Sequence, residues 1–220
     1  PPQDTATSKA TGSVDYASNE MLKTPQFYML FLMFLGSALA GLMVIYSIRL
    51  FGIDALQASG ASESVEAAAV VAGTAMAWYA ILNGLGRIVW GTVSDKIGRK
   101  TSLTLMCALQ GVIMLLFYKL GSTPTGLIVG ACIIGFNFGG NFALFPAATA
   151  DFFGNKNVGT NYGWVFLSYG VAGIAGPQIA GYFKDSAAGQ VEAWTTPFMI
   201  AGVACLIAAG IAVALKKPKH

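Results

Sequence analysis

Charged side chains are rare in this sequence. They make up 10% of the 220 residues, whereas hydrophobic side chains make up 55%. Because soluble domains carry about a quarter charged residues, this composition excludes an ordinary soluble domain and indicates a membrane protein. The net charge of +3 is too small to indicate a nucleic-acid partner.

Side chains that bind metal ions are almost absent. The only histidine is the last residue, His220, and the three cysteines lie far apart in apolar runs, without a C-x-x-C pair. This set provides no metal site, so Cys107, Cys132 and Cys205 are interpreted as small packing residues. The sequence also has no phosphate-binding loop and no nucleophile beside a base. We therefore predict neither a cofactor nor an enzyme activity.

Long apolar runs are abundant. Six of them, each about 17 to 25 residues long, cover residues 27–50, 67–91, 102–118, 126–150, 160–182 and 198–215. A helix of this length crosses a hydrocarbon core of about 30 Å. The runs are continuous, whereas the strands of a membrane barrel alternate over about ten residues. The prediction is an all-α membrane protein with six transmembrane helices, a loop over residues 51–66 and a basic turn over residues 92–100.

The distribution of charge predicts the orientation of the bundle. We expect a flexible polar tether over residues 1–24, the bundle over residues 25–215 and a short tail over residues 216–220. Six spans place both ends on one side, which then carries nine lysine and arginine residues against three on the other. Since basic residues favour the cytoplasmic side, both termini of this segment are expected in the cytoplasm, with the bundle in the plasma (inner) membrane. No signal peptide is expected, because the first twenty residues are polar.

Apart from Arg49 at the end of the first run, Arg87 is the only charged residue within the six runs. An arginine at the centre of a membrane helix costs at least about 2.5–3.5 kcal/mol, so such residues usually face a protein interior or a wet cavity. The alternative is that Arg87, near one end of its run, extends towards the lipid headgroups. However, Tyr79 and Asn83 precede it at intervals of four residues and form a polar stripe on one helix face. No acidic residue in any run neutralises Arg87, so we expect its planar fork to bind a small carboxylate.

Two other runs carry polar residues that could line the same cavity. Asn137 and Asn141 share a face of the fourth run, where they either contact a substrate or hydrogen-bond between helices. Tyr169 and Ser168 of the fifth run could bind a ligand or serve a structural role. The fifth run also has four glycines whose spacing predicts a seam for close helix packing. These glycines are Gly163, Gly170, Gly173 and Gly176.

The second and third runs are joined by the sequence Gly91-Thr-Val-Ser-Asp95-Lys-Ile-Gly98-Arg99-Lys100. It closely resembles the cytoplasmic loop signature of the major facilitator superfamily, both in its residues and in its place between the second and third helices of a six-helix half. The resemblance implies a conformational latch formed by Gly91, Asp95, Gly98, Arg99 and Lys100, in which the charged residues pair at or reach helix ends. A solvated turn on the positive side would account for the basic residues but not for the glycines and the aspartate.

Motifs along nearly the whole chain are similar to those of the oxalate/formate antiporter family, which is monocarboxylate-transporter-like. They are residues 20–28 (EMLKTPQFY), 40–43 (AGLM), 83–87 (NGLGR), 138–140 (FGG), 145–147 (FPA) and 161–163 (NYG). The resemblance implies the C-terminal half of a twelve-helix transporter that works by alternating access around a central carboxylate site. Its partners would be the N-terminal six-helix half, a small carboxylate and the lipid bilayer. Arg87 would be the family's substrate-contacting arginine.

One departure from that family bears on the substrate. Oxalate-exchanging relatives carry a lysine around the position of Tyr169, whereas this chain has no lysine between Thr160 and Tyr182. A dicarboxylate would leave one charge unpaired in a poorly solvated site, at a cost of several kcal/mol. The sequence therefore favours antiport or proton symport of a monocarboxylate such as lactate, pyruvate or formate. The alternatives are an oxalate/formate exchanger, a carrier of another small solute and, less favoured, a channel or scaffold bundle.

Overall fold

The computed structural model describes residues 15–186 and 190–218, which are almost entirely helical and contain no strand. Parts of the predicted tether (residues 1–14) and of the predicted tail (residues 219–220) lie outside the described residues. The helices are α1 (Ser18–Met21), α2 (Pro25–Ala58), α3 (Val65–Ile97), α4 (Arg99–Leu120), α5 (Pro124–Phe153), α6 (Val158–Ser186) and α7 (Thr195–Ala214). A turn of 3-10 helix, Val191–Trp194, precedes α7. The six long helices confirm the predicted all-α class.

Five of the long helices are long and apolar enough to cross a membrane. They are α2, α3, α4, α5, and α7 together with the turn before it. The sixth predicted span is present as α6, a helix of 29 residues. Its composition is less clearly that of a membrane helix, partly because Asn161 and Ser168 are polar. Both side chains are fully buried in the bundle, so they do not face lipid.

Several predicted boundaries are wrong because the helices continue past the apolar runs. α2 extends to Ala58, which reduces the loop predicted over residues 51–66 to a short connection before Val65. α3 extends through the predicted basic turn to Ile97, and Gly98 alone separates it from α4. Gly98 has a φ of +88°, a conformation that suits glycine. The backbone hydrogen bonds of a helix do not depend on apolar side chains, so charged turns remain helical.

The length of α2 also changes which charges lie within the helices. α2 includes Asp54 as well as Arg49, so Arg87 is not the only charged residue within the long helices. Asp54 accepts a hydrogen bond from Nε1 of Trp194 at 2.9 Å, and Trp194 is itself buried. This bond joins the end of α2 to the start of α7 and gives the Asp54 carboxylate a structural partner.

The six long helices pack in two related sets of three. α3 packs chiefly on α5, and α6 packs chiefly on α2; in the same way α4 contacts α5, and α7 contacts α2. The two sets are α2 to α4 and α5 to α7. If each helix of the first set is exchanged with its counterpart in the second, the same pairs of helices remain in contact. Internal repeats of this kind are common in secondary transporters.

The glycine seam predicted on α6 is only partly used. A methyl group at Gly176 would lie 3.2 Å from the carbonyl oxygen of Leu39 on α2, so the backbones are close there. A methyl group at Gly163 or Gly170 would meet nothing within 4 Å. The prediction of close packing along the whole seam is therefore wrong for this bundle, because glycine spacing alone does not say which helix face meets a neighbour.

The described part of the predicted tether is docked on the bundle. The backbone N–H of Tyr16 donates to the carbonyl oxygen of Phe153 at 2.9 Å. The side-chain amide of Asn161 donates to the carbonyl oxygen of Tyr16 at 3.1 Å. Residues 15–24, called the docked segment below, are therefore held against the connection between α5 and α6. The expectation of a flexible tether is therefore wrong for residues 15–24. It was based on composition, and composition does not show which groups elsewhere in the fold form hydrogen bonds with this segment.

Candidate functional site

A cavity of about 250 Å³ opens on one face of the bundle beside α3. Residues of α2, α3, α5 and α6 contribute to it. The lining residues are Ile45, Tyr79, Ala80, Asn83, Arg87, Phe138, Phe142 and Tyr169. The structure therefore brings together four of the six side chains that the sequence predicts for a substrate site. They are Tyr79, Asn83, Arg87 and Tyr169.

The position of this cavity follows from close packing between α3 and α5. A methyl group at Gly139 of α5 would overlap the backbone carbonyl of Asn83, and one at Gly86 of α3 would overlap the carbonyl of Phe136. Small residues at such positions allow membrane helices to approach closely. Because the backbone of Asn83 itself makes the contact, this packing sets the position of Asn83 and Arg87 relative to the aromatic residues of α5.

The guanidinium group of Arg87 lies on the wall of the cavity. Its Cζ atom is 4.5 Å from the ring centroid of Phe142, within the range of a cation–π interaction. Nη2 donates to Oδ1 of Asn83 at 3.1 Å. Asn83 precedes Arg87 by one turn, so the side chain points towards the middle of α3 and away from its nearer end at Ile97. This direction argues against the alternative that Arg87 extends towards the headgroups.

Most of the hydrogen-bonding capacity of Arg87 is unused in the described part of the chain. A guanidinium group has five N–H donors, and one of them bonds to Asn83. The ion pairs among the described residues involve only Arg99, so no carboxylate of this part neutralises Arg87. The exposed guanidinium can therefore offer parallel N–H groups to a planar anion.

Tyr79 joins two helices at the floor of the cavity. It is buried, and its hydroxyl donates to the carbonyl oxygen of Gly41 on α2 at 3.0 Å. The ring of Phe138 lies so close to Gly41 that a side chain there would collide with it. Because the hydroxyl of Tyr79 already donates its proton to Gly41, its oxygen can only accept a hydrogen bond from a ligand.

Tyr169 completes an aromatic wall of the cavity. Its ring centroid lies 4.9 Å from that of Phe166, 5.5 Å from that of Phe142 and 6.3 Å from that of Phe138. Mostly apolar walls with a few placed polar groups are typical of small-molecule sites. The cavity thus combines one cation with an aromatic surface.

Asn137 and Asn141 lie elsewhere, in the buried interior of the bundle. Oδ1 of Asn137 accepts a hydrogen bond from Nε1 of Trp90 at 3.3 Å, and Oδ1 of Asn141 accepts one from Ser37 at 2.8 Å. Both asparagines are fully buried, and neither lines the cavity. Of the two roles that the sequence left open, the geometry favours hydrogen bonding between helices.

Phe138 and Phe142 line the cavity, although neither was among the predicted site residues. Each follows an asparagine by one residue. At about 100° per residue, both asparagines lie about 160° around α5 from Gly139, whereas the two phenylalanines lie about 60–100° from it. Since Gly139 faces α3, the rotation of α5 brings the aromatic pair to the cavity. Placing the glycines of α5 against α3 in a helical projection would have identified this pair.

Arg99 connects three helices at one end of the bundle. Its guanidinium pairs with Asp95 at 2.7 Å and with Asp151 at 3.0 Å, and it also donates to Oγ of Ser94. Asp95 lies near the end of α3, Arg99 begins α4 and Asp151 lies near the end of α5. Asp151 was not among the predicted residues, because the partner of Arg99 on a distant helix has no signal in the motif itself.

The other residues of the predicted latch surround this junction. Gly98 forms the sharp connection between α3 and α4. A methyl group at Gly91 would lie 3.6 Å from the Cβ atom of Ala143 on α5, an ordinary contact distance. Lys100 is exposed on the first turn of α4. The geometry thus gives Arg99 a set of helix-end contacts and leaves Lys100 in the open.

Known proteins similar to this chain are transporters. The family model described as Major Facilitator Superfamily matches residues 27–220. The uncharacterized MFS-type transporter YhjX of Escherichia coli (strain K12) is 36% identical over 176 residues, which are 79% of this chain and 41% of the relative. The oxalate:formate antiporter of Oxalobacter formigenes is 30% identical over 199 residues, 90% of this chain and 44% of the relative. The apicoplast pyruvate carrier 1 of Toxoplasma gondii is 39% identical over 89 residues, 39% of this chain and 16% of the relative.

These similarities settle the family. The relatives are named as transporters, a carrier and an antiporter, and the family is one of carriers rather than enzymes, as expected. The expectation of a multi-pass membrane protein of this family is confirmed. The chain spans less than half the length of these relatives. The resemblance that the loop sequence between α3 and α4 indicated is confirmed as well. The chain belongs to the major facilitator superfamily, within which it is similar to the oxalate/formate antiporter.

Proposed function

We propose that this chain is one half of a secondary transporter for small organic carboxylates that works by alternating access. The observation that carries the proposal is the cavity wall that presents the unneutralised guanidinium of Arg87 beside Asn83 and Phe142. A carboxylate bound there forms charge-assisted, parallel hydrogen bonds with Arg87. The names of two relatives, an oxalate:formate antiporter and a pyruvate carrier, are those of carboxylate carriers.

The substrate that we propose is a monocarboxylate such as lactate, pyruvate or formate. Arg87 is the only cation among the residues that line the cavity, and α6 contributes Tyr169 there rather than a lysine. One guanidinium balances one carboxylate, and a second, unpaired carboxylate would cost several kcal/mol. The second candidate is exchange of oxalate for formate, which the likeness to the Oxalobacter antiporter favours. That candidate needs a further cation from outside this bundle.

The complete transporter would contain this bundle and an N-terminal six-helix half around a shared site. Residues 1–24 would belong to the central cytoplasmic loop, residues 25–215 to the bundle and residues 216–220 to a cytoplasmic tail, in the plasma (inner) membrane. No acidic residue lines the cavity. The coupling is therefore antiport, or proton symport in which the other half carries the proton.

The residues around Arg99 would act as a latch rather than as a binding site. Asp95 lies about 12 Å along α3 from Arg87, which is too far for both to contact one small carboxylate. Arg99 holds the ends of α3 and α5 together through Asp95 and Asp151. We propose that this arrangement, with Gly91, Gly98 and Lys100 around it, stabilises one conformation of the gate.

The test is uptake by the complete transporter in reconstituted vesicles. Arg87→Ala should abolish uptake of lactate, pyruvate and formate, because the carboxylate loses its only cation in this cavity. Arg87→Lys keeps the charge but not the planar fork, so its uptake should be intermediate. Lys119→Ala is the control, since it removes an exposed cation outside the cavity and should leave uptake normal.

The outcomes separate the candidates. Normal uptake of lactate and formate by a folded Arg87→Ala protein would refute the role of Arg87. Oxalate uptake as fast as formate uptake by the wild type would favour the exchanger over the monocarboxylate carrier. Loss of uptake in the Lys119→Ala control would show that the assay reports general damage.

A further inference from the structure

A second cavity, of about 400 Å³, lies where the chain enters α2 and leaves α7. The docked segment forms one side of it, and the residues that follow α7 form the other. Lys23, Lys216 and Lys217 all line this cavity, together with Tyr16 and the first turn of α2. Three cations from two distant parts of the chain therefore converge on one concave surface.

The carboxylates of the described residues do not neutralise these lysines. The ion pairs in this part of the chain belong to Arg99 alone. The two acidic residues of the docked segment accept hydrogen bonds from backbone N–H groups instead. Glu20 accepts from the N–H of Ala17 at 2.8 Å, and Asp15 accepts from the N–H of Lys156 at 3.1 Å. The cavity is thus a pocket of uncompensated positive charge.

The start of α2 adds to this positive potential. α2 is 34 residues long, and its N-terminal end carries the partial positive charge of the helix dipole. Thr24 caps this end by accepting from the N–H of Phe27 at 3.3 Å. Pro25, the first residue of α2, has no N–H, so the N–H of Gln26 is the one left directed out of this helix end. The lysines and the helix end together match a compact anion with several oxygen acceptors.

We propose that this cavity binds the phosphate group of an anionic membrane phospholipid. Both helices that border it, α2 and α7, belong to the helices able to cross a membrane, and the cavity lies at the end of each. This is the level of the lipid headgroups, and basic pockets between membrane helices are suited to anionic headgroups. The lipid would join the docked segment to the chain that follows α7, because each side contributes at least one lysine.

The experiment is titration of the complete protein in detergent with phosphatidylglycerol, with bound lipid counted by native mass spectrometry. The site variant is Lys216→Gln with Lys217→Gln. The matched control is Lys96→Gln with Lys156→Gln, which removes the same charge from two exposed lysines at the same end of the bundle. Phosphatidylcholine, whose headgroup carries no net charge, and inorganic phosphate as a competitor form the other two arms.

We expect the site variant to bind phosphatidylglycerol roughly 30-fold more weakly than the wild type, which is about 2 kcal/mol at 1.4 kcal/mol per tenfold change. The control should bind within about threefold of the wild type, and phosphatidylcholine should bind weakly to all three proteins. An equal loss in the control would overturn the proposal in favour of diffuse surface attraction. Equal binding of phosphatidylcholine, or displacement of the lipid by millimolar phosphate, would also overturn it.

Discussion

Replacing Gly139 by alanine should destabilise this protein, although alanine is the better helix former. The methyl group would overlap the backbone carbonyl of Asn83, which cannot rotate away as a side chain can. The two helices must then separate or slide. α5 is the main packing partner of α3, so the strain would fall on the contact that positions the cavity.

The expected magnitude is the difference between two effects. Alanine gains up to about 1 kcal/mol over glycine within a helix. Overpacking at a tight contact costs about 1–3 kcal/mol, and the upper end applies where backbone must move. We therefore expect Gly139→Ala to lower the free energy of unfolding by about 2 kcal/mol. It should also weaken carboxylate binding, because the displaced carbonyl belongs to Asn83, the hydrogen-bond partner of Arg87.

The control is the same substitution at Gly210 of α7, where a methyl group would meet nothing within 4 Å. Gly210 lies among side chains that face outwards, since Ile207 and Val213 are 59% and 58% exposed. Gly210→Ala should therefore raise the stability by about 0.4–1 kcal/mol. Thermal unfolding of the purified protein in detergent compares the two variants, and calorimetric titration with a monocarboxylate reports binding.

The two substitutions should thus have opposite signs. If Gly139→Ala is as stable as Gly210→Ala and binds the carboxylate as the wild type does, the close approach of α3 and α5 is not what positions the cavity. A Gly139→Ala protein that loses stability but keeps full affinity would separate the packing from the site.

Three further substitutions test other contacts. Asp151→Asn removes one partner of Arg99 and should cost about 0.2–1 kcal/mol in thermal unfolding, less at high salt, with a measurable coupling to Arg99→Gln in a double-mutant cycle. Asn161→Ala removes a hydrogen bond to Tyr16, so a protease should cleave within the docked segment faster than in the wild type. Phe142→Leu removes the ring beside Arg87 and should weaken carboxylate binding by about 0.5–2 kcal/mol in calorimetric titration.

Each of these has a control of the same type. Asp185→Asn changes an exposed acid at the end of α6 and should show no coupling to Arg99→Gln. Asn155→Ala changes an exposed residue and should leave cleavage unchanged, while Phe152→Leu alters α5 outside the cavity and should leave affinity unchanged. An absent coupling at Asp151, cleavage at the wild-type rate in Asn161→Ala, or unchanged affinity in Phe142→Leu would contradict the corresponding contact.

The number and type of the long helices were predictable because the length of an apolar run is a direct measure of a membrane span. Their ends were not, because the last turns of α2 and α3 are polar and still helical. Composition also could not show that residues 15–24 dock on the bundle. That docking depends on the amide of Asn161, more than a hundred residues away, meeting the carbonyl of Tyr16.

For the site, what is local to one helix was predictable and what depends on two helices was not. Tyr79, Asn83 and Arg87 repeat at the helical period, and the structure places all three at one cavity. Asn137 and Asn141 repeat in the same way, but α5 is rotated so that they face the interior. The ion pair between Arg99 and Asp151 was also not predictable, since pairing between distant helices follows from the fold.

The helices that line the cavity differ in how tightly they are packed against each other. α3 and α5 are in close backbone contact at Gly86 and Gly139, so a change in the position of Arg87 would require both helices to shift. α6, which carries Tyr169, packs chiefly on α2 and much less on α5. In the proposed carrier, a change of substrate size would therefore be accommodated most easily at Tyr169, while Arg87 would keep its position. Divergence of substrate range among close relatives should accordingly appear first in the residues of α6 that surround Tyr169.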